Sequence, residues 1–172
     1  TINHVLENGG SCIVMSHLGR PKKRDKKLSL LKIKQELEML LDLVVIFVED
    51  CIGPEVKKAS ETLKPGQVLL LENLRFYKEE VAGDEKFAEE LSSLADIYIN
   101  DAYGTTHRAH ASTSTIAKYF TEKSPGLLLQ KEILSLKKVL ESPKKPVTAI
   151  VGGAKVSSKI SIIANMLKFI DN

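Results

Sequence analysis

Basic side chains follow several predicted strands of this 172-residue chain, at the point where each strand ends. They are Arg20, Arg75, Arg108 and Lys155. Ligands of parallel α/β sheets bind beyond the carboxyl ends of the strands, so we expect these four cations to share one edge of a sheet. The planar guanidinium group of arginine matches the oxygens of phosphate and carboxylate groups. The pattern therefore predicts a ligand that carries both groups, or several phosphates.

The segment at residues 152–159 leaves the last predicted strand, turns through two glycines and opens a helix. Such a turn lets the backbone approach a ligand closely, and the N-terminus of a helix favours an anion. Lys155 and Lys159 are four residues apart, so both project from one face of that helix. The segment is neither a Walker A loop nor a G-x-G-x-x-G fingerprint. An ordinary strand–helix turn with exposed lysines is the alternative.

Four side chains could suggest a metal site: His17, His107, His110 and Asp101. The spacing His107-x-x-His110 fits no strong zinc pattern, and no cysteine pair accompanies it. We therefore predict no metal, and expect the histidines to be structural or to contact an anion. Glu79 and Glu80 are most simply interpreted as surface charge.

Five short apolar runs have the length and composition of strands: residues 11–16, 43–48, 68–71, 96–100 and 147–151. Several are almost continuous in Val, Ile and Leu, which is typical of strands buried on both faces of a parallel sheet. Helical patterns occupy residues 1–7, 29–41, 54–62, 84–93, 127–140 and 160–169. This alternation predicts an α/β, Rossmann-like three-layer domain, with a parallel sheet and helices on both faces.

The composition narrows the class of protein. With 43% hydrophobic and 27% charged residues, the chain suits one domain with a core of its own. A net charge of +3 is too small to argue for nucleic acid, and no apolar run approaches the length of a membrane helix. The first residues lack the features of a signal peptide. Two cysteines do not make a disulfide scaffold, which predicts a reducing compartment.

Four motifs resemble those of the phosphoglycerate kinases, in the family's order and along nearly the whole chain. They are S-H-L-G-R-P at residues 16–21, L-L-E-N-L-R-F at 70–76, N-D-A-Y-G-T-T-H-R-A-H-A-S at 100–112 and G-G-A-K-V-S-S-K at 152–159. The resemblance implies the N-terminal, substrate-binding domain of a two-domain kinase of glycolysis and gluconeogenesis. That enzyme transfers a phosphoryl group reversibly between 1,3-bisphosphoglycerate and ADP, which gives 3-phosphoglycerate and ATP.

The resemblance also implies roles for particular residues. Those that would hold 3-phosphoglycerate are His17, Leu18, Gly19, Arg20, Arg75 and Arg108. Lys155 would face the transferring phosphoryl group, while Gly153 and Lys159 would contact the nucleotide. Mg-ATP or Mg-ADP would be a co-substrate, and no tightly bound cofactor is implied. The attacking carboxylate is already ionised at neutral pH, so the reaction needs no general base.

By the same resemblance, residues 1–172 form one truncated N-terminal domain, and residues 152–172 begin the region that faces the nucleotide. The family's first strand and a catalytic arginine would precede Thr1, and the nucleotide-binding half would follow Asn172. The family often has an acidic residue where this chain has Ser158. We therefore expect the chain alone to bind substrate without turnover. A cytoplasmic, monomeric enzyme without nucleic-acid or membrane partners is implied.

The basic run R-P-K-K-R-D-K-K at residues 20–27 supports an alternative, a non-catalytic module that binds anions or nucleic acid. The same run is also typical of a solvated loop after a strand. A dinucleotide-binding domain is a third hypothesis, and the absence of G-x-G-x-x-G speaks against it.

Overall fold

A computed structural model describes residues 1–141, 143–152, 160–167 and 170–171. Its strands are β1 (Cys12–Val14), β2 (Val45–Val48), β3 (Val68–Leu71), β4 (Ile97–Asn100) and β5 (Glu122–Pro125). Its helices are α1 (Ile2–Glu7), α2 (Leu31–Leu41), α3 (Pro54–Glu61), α4 (Lys78–Ala82), α5 (Glu85–Ser92), α6 (Leu127–Glu141) and α7 (Ile160–Met166). The backbone divides into two compact units, Thr1–Leu129 and Gln130–Asn172. Within the described ranges, no helix is long and apolar enough to cross a membrane.

The strands pair in parallel and form two sheets. In the three-stranded sheet, β3 lies between β1 and β2, and Val68 is opposite both Cys12 and Val45. In the two-stranded sheet, β4 pairs with β5, and Ile97 is opposite Glu122. The predicted α/β class with parallel strands is confirmed, although the strands are divided between two sheets.

The central strand β3 accounts for the continuous apolar run in the sequence, because all four of its residues are buried. Leu69 and Leu71 belong to a large apolar cluster that includes Phe87 of α5. Val68 and Leu70 belong to a second cluster, which packs against α2. Side chains alternate across a strand, so β3 has apolar packing on both faces. Such a strand is the expected centre of a layered α/β fold.

Two strands differ from the prediction. The run at residues 147–151 has no regular secondary structure, and Ile150 is 94% exposed. Backbone groups of Val147 pair with Asp171: its N–H donates to the carboxylate at 2.8 Å, and its carbonyl accepts from the Asp171 N–H at 2.8 Å. The prediction of a strand at residues 147–151 is therefore wrong. Conversely, β5 was not predicted, because all of its residues are exposed and the run E-K-S-P has no apolar pattern.

Helix α2 begins at Leu31, two residues later than predicted, because a carboxylate from another element occupies its start. Glu72, directly after β3, accepts hydrogen bonds from the Ser29 hydroxyl at 2.6 Å and the Leu30 N–H at 2.8 Å. The Ser29 hydroxyl oxygen accepts from the Leu31 N–H at 3.1 Å. Helix starts leave N–H groups without partners, and a buried carboxylate is a strong acceptor for them.

Asn73 is completely buried and joins both ends of the loop that follows β1. Its side-chain amide donates to the carbonyls of Leu18 and Leu28, each at 2.9 Å. Its side-chain oxygen accepts from the Arg75 N–H at 3.0 Å, and its own N–H donates to Glu72 at 2.7 Å. Glu72 and Asn73 therefore fix the loop after β1 against the end of β3.

Replacing Asn73 with alanine should destabilise the fold, because the partly buried carbonyls of Leu18 and Leu28 would lose a donor. We expect the free energy of unfolding to fall by about 2–4 kcal/mol, measured by urea denaturation. Asn8→Ala is the matched control, since Asn8 is exposed and its amide donates only to the His4 carbonyl at 2.8 Å on α1. This control should change the free energy by less than about 0.5 kcal/mol. Equal stability of the two variants would contradict the proposed role of Asn73.

Candidate anion-binding site

Arg75 connects the loop after β3 with the loop after β1. It lies in the 3-10 turn Leu74–Phe76, where the Asn73 side chain accepts from its N–H. Its Nη1 donates to the Gly19 carbonyl at 2.8 Å. β1 and β3 are parallel neighbours, so their loops leave the same edge of the sheet. The sequence prediction that these two strand ends come together is confirmed for Arg75 and Gly19.

Gly19 has the backbone conformation that this contact needs. Its φ of +65° is one that residues other than glycine rarely adopt. An added Cβ atom would also lie 3.0 Å from a methyl carbon of Leu28. Glycine thus allows a tight turn over Leu28, with the carbonyl directed to Arg75.

The Nε atom of Arg75 is a buried donor without a hydrogen-bond partner among the described residues. Buried donors are normally satisfied, and an orphaned guanidinium N–H is suited to an anionic oxygen. Burial lowers the pKa of Arg75, and the charges of Arg108 and Arg20 lower it further, whereas Glu80 raises it. A bound anion would oppose this crowding of positive charge.

Two histidines share this environment. Burial lowers the pKa of His17, and so do the neighbouring charges of Arg75, His110 and Arg108. Burial likewise lowers the pKa of His110, which is 7% exposed; Glu80 raises it, and Arg75 and Arg108 lower it. A pKa below the usual value leaves both imidazoles neutral at neutral pH. We call the set the strand-end cluster: Arg20, Arg75, Arg108, His17 and His110.

The sequence does not distinguish His110 from the other histidines. It predicts Glu80 to be a surface charge. That interpretation of Glu80 is wrong, because its side chain is 2% exposed. Helix α4, which was not predicted, turns Glu80 into the protein, where it accepts hydrogen bonds from the N–H and hydroxyl of Ser112. A signal for α4 does exist: Gly83 ends it with a φ of +68°, and Asp84 caps the next helix.

Asp101 does not join the histidines. Its carboxylate accepts from the Thr1 hydroxyl at 2.6 Å and from the Leu129 N–H at 2.8 Å, in the first turn of α6. Burial alone would raise the pKa of Asp101, but these hydrogen bonds outweigh burial and lower it. Nowhere in the described ranges do three His, Cys, Asp or Glu side chains come together as metal ligands would.

The basic run at residues 20–27 is exposed over most of its length, yet Arg24 is held in place. Its guanidinium lies 3.1 Å from the Asp50 carboxylate, donates to the Glu49 carbonyl at 2.7 Å, and lies 5.4 Å from the centre of the Phe76 ring. Arg24 therefore ties the loop after β1 to the end of β2. This pairing weakens the argument for a nucleic-acid surface, because one of its central charges already has a carboxylate partner.

The remaining predicted contacts, Gly153, Lys155 and Lys159, lie outside the described residues. Their roles toward the transferring phosphoryl group and the nucleotide stay predictions. In the described part of the chain, the site consists of the strand-end cluster and the loops that carry it.

Comparison with known proteins places the chain in a family. The family model for phosphoglycerate kinase matches residues 1–172. A phosphoglycerate kinase from Moorella thermoacetica is 55% identical over 172 residues, which cover 99% of this chain and 44% of the relative. The cytosolic phosphoglycerate kinase of Triticum aestivum is 51% identical over 171 residues, 99% of this chain and 43% of the relative.

A solved structure of the same family has a similar fold. The phosphoglycerate kinase from Coxiella burnetii matches with a TM-score of 0.86 and 36% identity, over 99% of this chain and 42% of that chain. The chain thus spans less than half the length of the relatives it matches.

Inorganic phosphate should shift the nitrogen and proton resonances of the Arg75 Nε–H group, because this orphaned donor would gain an acceptor. The measurement is a titration followed by NMR of the arginine side chains, with Arg75→Lys used to assign the resonance. Arg24 is the internal control, because its guanidinium already has a carboxylate partner. Equal shifts at both arginines would indicate general screening and would contradict a site at Arg75.

Proposed function

Because the chain belongs to the phosphoglycerate kinase family, we propose that it is the N-terminal, substrate-binding part of such a kinase and that it binds 3-phosphoglycerate. The observation that carries this proposal is the buried Nε of Arg75, which has no hydrogen-bond partner in the described part of the chain and lies among further cations. A small ligand with a phosphate and a carboxylate has the charge and the oxygens that such a cluster would bind.

In this proposal, Arg20, Arg75 and Arg108 hold the phosphate that is not transferred, together with His17. Leu18 and Gly19 belong to the same loop. Their carbonyls already accept hydrogen bonds, from Asn73 and Arg75 respectively. Any contact of Leu18 or Gly19 with the substrate would therefore come from a backbone N–H, the donor that an anion requires.

The proposed reaction needs positioning and charge but no proton transfer. In the ATP-consuming direction, the substrate carboxylate attacks the terminal phosphorus of ATP, and the bond to the ADP oxygen breaks. The carboxylate is ionised at neutral pH, so no base is required. Cations around the transferred group stabilise the transition state. We assign this role to Lys155, and contacts with Mg-ATP or Mg-ADP to Gly153 and Lys159.

We also propose that residues 1–172 constitute one domain, with residues 152–172 at the start of the region that faces the nucleotide. The nucleotide-binding half would lie in the part of the protein that corresponds to the remaining length of the relatives. We include in the same proposal that the enzyme is cytoplasmic and monomeric. The location is supported by the Triticum aestivum relative, which is described as cytosolic.

The first test is a calorimetric titration of the chain with 3-phosphoglycerate at moderate salt. Arg75→Lys keeps the charge but loses the planar guanidinium group, so we expect the free energy of binding to weaken by on the order of 1–3 kcal/mol, roughly fivefold to 150-fold in affinity. Arg24→Lys makes the same exchange outside the cluster and should change the affinity by less than about twofold. An Arg75→Lys variant that binds like the wild type would remove Arg75 from the site.

The second test concerns turnover. The natural protein that contains this chain should form 1,3-bisphosphoglycerate from 3-phosphoglycerate and MgATP. The measurement is an assay that couples this product to the oxidation of NADH. The 172-residue chain by itself should give no signal above the blank. A folded natural protein without this activity would refute the proposed reaction, and turnover by the chain alone would refute the assignment of catalysis to two halves.

A further inference from the structure

A buried carboxylate lies behind the strand-end cluster and has no role in the proposed function so far. Glu80 is on α4 and is 2% exposed. One of its oxygens accepts from the Ser112 N–H at 3.0 Å, and the other from the Ser112 hydroxyl at 2.7 Å. The second oxygen also lies 3.6 Å from Nδ1 of His110, which is itself 7% exposed. A buried charge is costly unless it has such partners.

The same helix holds the segment that carries Arg108 and His110 through its backbone. The Glu80 carbonyl accepts from the Ala111 N–H at 2.9 Å. The Gly83 carbonyl accepts from the Thr115 hydroxyl at 3.0 Å, and a Cβ atom on Gly83 would lie 2.5 Å from the Ala109 carbonyl oxygen. Residues 109–115 are thus packed directly against the end of α4, and their position depends on it.

His110 lies between charges of opposite sign that come from several elements. Glu80 faces it from α4, whereas the other charged or titratable groups around it are Arg75, Arg108, His107 and His17. Arg75 comes from the loop after β3, His17 from the loop after β1, and the other two from the loop after β4. Glu80 is the one group in this set whose charge favours an imidazolium.

We propose that Glu80 is a positioning residue of the anion site, whose carboxylate fixes Ser112 beside His110 and allows His110 to take up a proton when a phosphate binds. This proposal rests on the proposed function. It adds that binding of the substrate is coupled to protonation of one histidine, and that a carboxylate outside the four motifs controls that coupling.

The sign of the effect follows from the surrounding charges. In the empty site, burial and the arginines lower the pKa of His110, so the imidazole is neutral at pH 7. A bound phosphate brings negative charge to the arginines and weakens their effect on His110. The imidazole would then have the phosphate on one side and Glu80 on the other, which favours its cation. Protonation of His110 should therefore consume protons, and the affinity relative to that of His110→Gln should rise as the pH falls from about 8 to about 6.5.

Glu80→Gln tests the charge while preserving the shape. The amide oxygen of glutamine still accepts from Ser112, but the negative charge beside His110 is lost. The experiment is calorimetric titration with 3-phosphoglycerate in two non-phosphate buffers of different ionisation enthalpy, which counts the protons taken up. His110→Gln defines the uptake by all other groups, including the ligand's own phosphate. Glu79→Gln, one residue away on α4, is the charge-matched control.

The wild-type chain and Glu79→Gln should take up more protons at pH 7 than His110→Gln does. Glu80→Gln should lose most of this excess, and its affinity should fall about threefold to tenfold at pH 6.5 but much less at pH 8.5. Undiminished proton uptake by Glu80→Gln would overturn the proposal. A purely structural role would lower the affinity equally at both pH values, and that outcome would also overturn it.

Two measurements keep the test decisive if Glu80→Gln does not fold or if 3-phosphoglycerate does not bind. If Glu80→Gln does not fold, inorganic phosphate should still raise the pKa of His110, followed by NMR, in the wild-type chain and in Ser112→Ala, which keeps the carboxylate. If Glu80→Gln folds but 3-phosphoglycerate does not bind, NMR without ligand should show the pKa of His110 lower in Glu80→Gln than in the wild-type chain. Failure of 3-phosphoglycerate alone to bind would refute the proposed function, whereas an unresponsive His110 pKa would refute the role of Glu80.

Discussion

Positive side chains at the strand ends repel one another, and the protein must hold them together while no ligand is bound. The pKa of Arg75 is lowered by burial and by two neighbouring arginines, which expresses this repulsion directly. The opposing stabilisation comes from two buried carboxylates with hydrogen bonds from backbone N–H groups. Glu72 fixes the start of α2 and the turn before Arg75. Glu80 fixes the segment after β4. Both are buried acceptors of backbone hydrogen bonds, and the charge of Glu80 also raises the pKa of Arg75 and so opposes the neighbouring cations.

Because the cations repel one another, the core and the loops contribute differently to the structure. The apolar faces of β3 supply the burial that stabilises the fold, and they contribute no chemistry. Directly after β3, two polar residues, Glu72 and Asn73, are also buried. Their hydrogen bonds connect the loop after β1 to the strand that separates the two apolar clusters. The Gly19 carbonyl and Arg75 thus meet on a framework that cannot move without breaking buried hydrogen bonds.

The sequence predicted what depends on local pattern. The continuous apolar run of β3 identified a buried strand, basic residues after strands identified Arg20, Arg75 and Arg108 as candidates, and the family resemblance added Gly19. It did not predict β5, whose exposed polar residues pair through the backbone alone. The apolar run at residues 147–151 was misleading, because Val147 pairs with Asp171 and not with a strand. Glu80 was missed because its partner Ser112 is 32 residues away, and burial of a carboxylate depends on such distant partners.

The histidines of the strand-end cluster limit the positive charge of the empty site, which arginines alone would not do. An empty site that contained only arginines would carry its full positive charge at all times, and the repulsion would destabilise the loops that hold it. His17 and His110 have lowered pKa values, so they add no charge to the empty site at neutral pH. An imidazole beside a buried carboxylate can acquire that charge once an anion is present. Under the proposed function, the negative charge of the ligand then offsets that of the imidazolium, so the charge of the site changes with its occupancy.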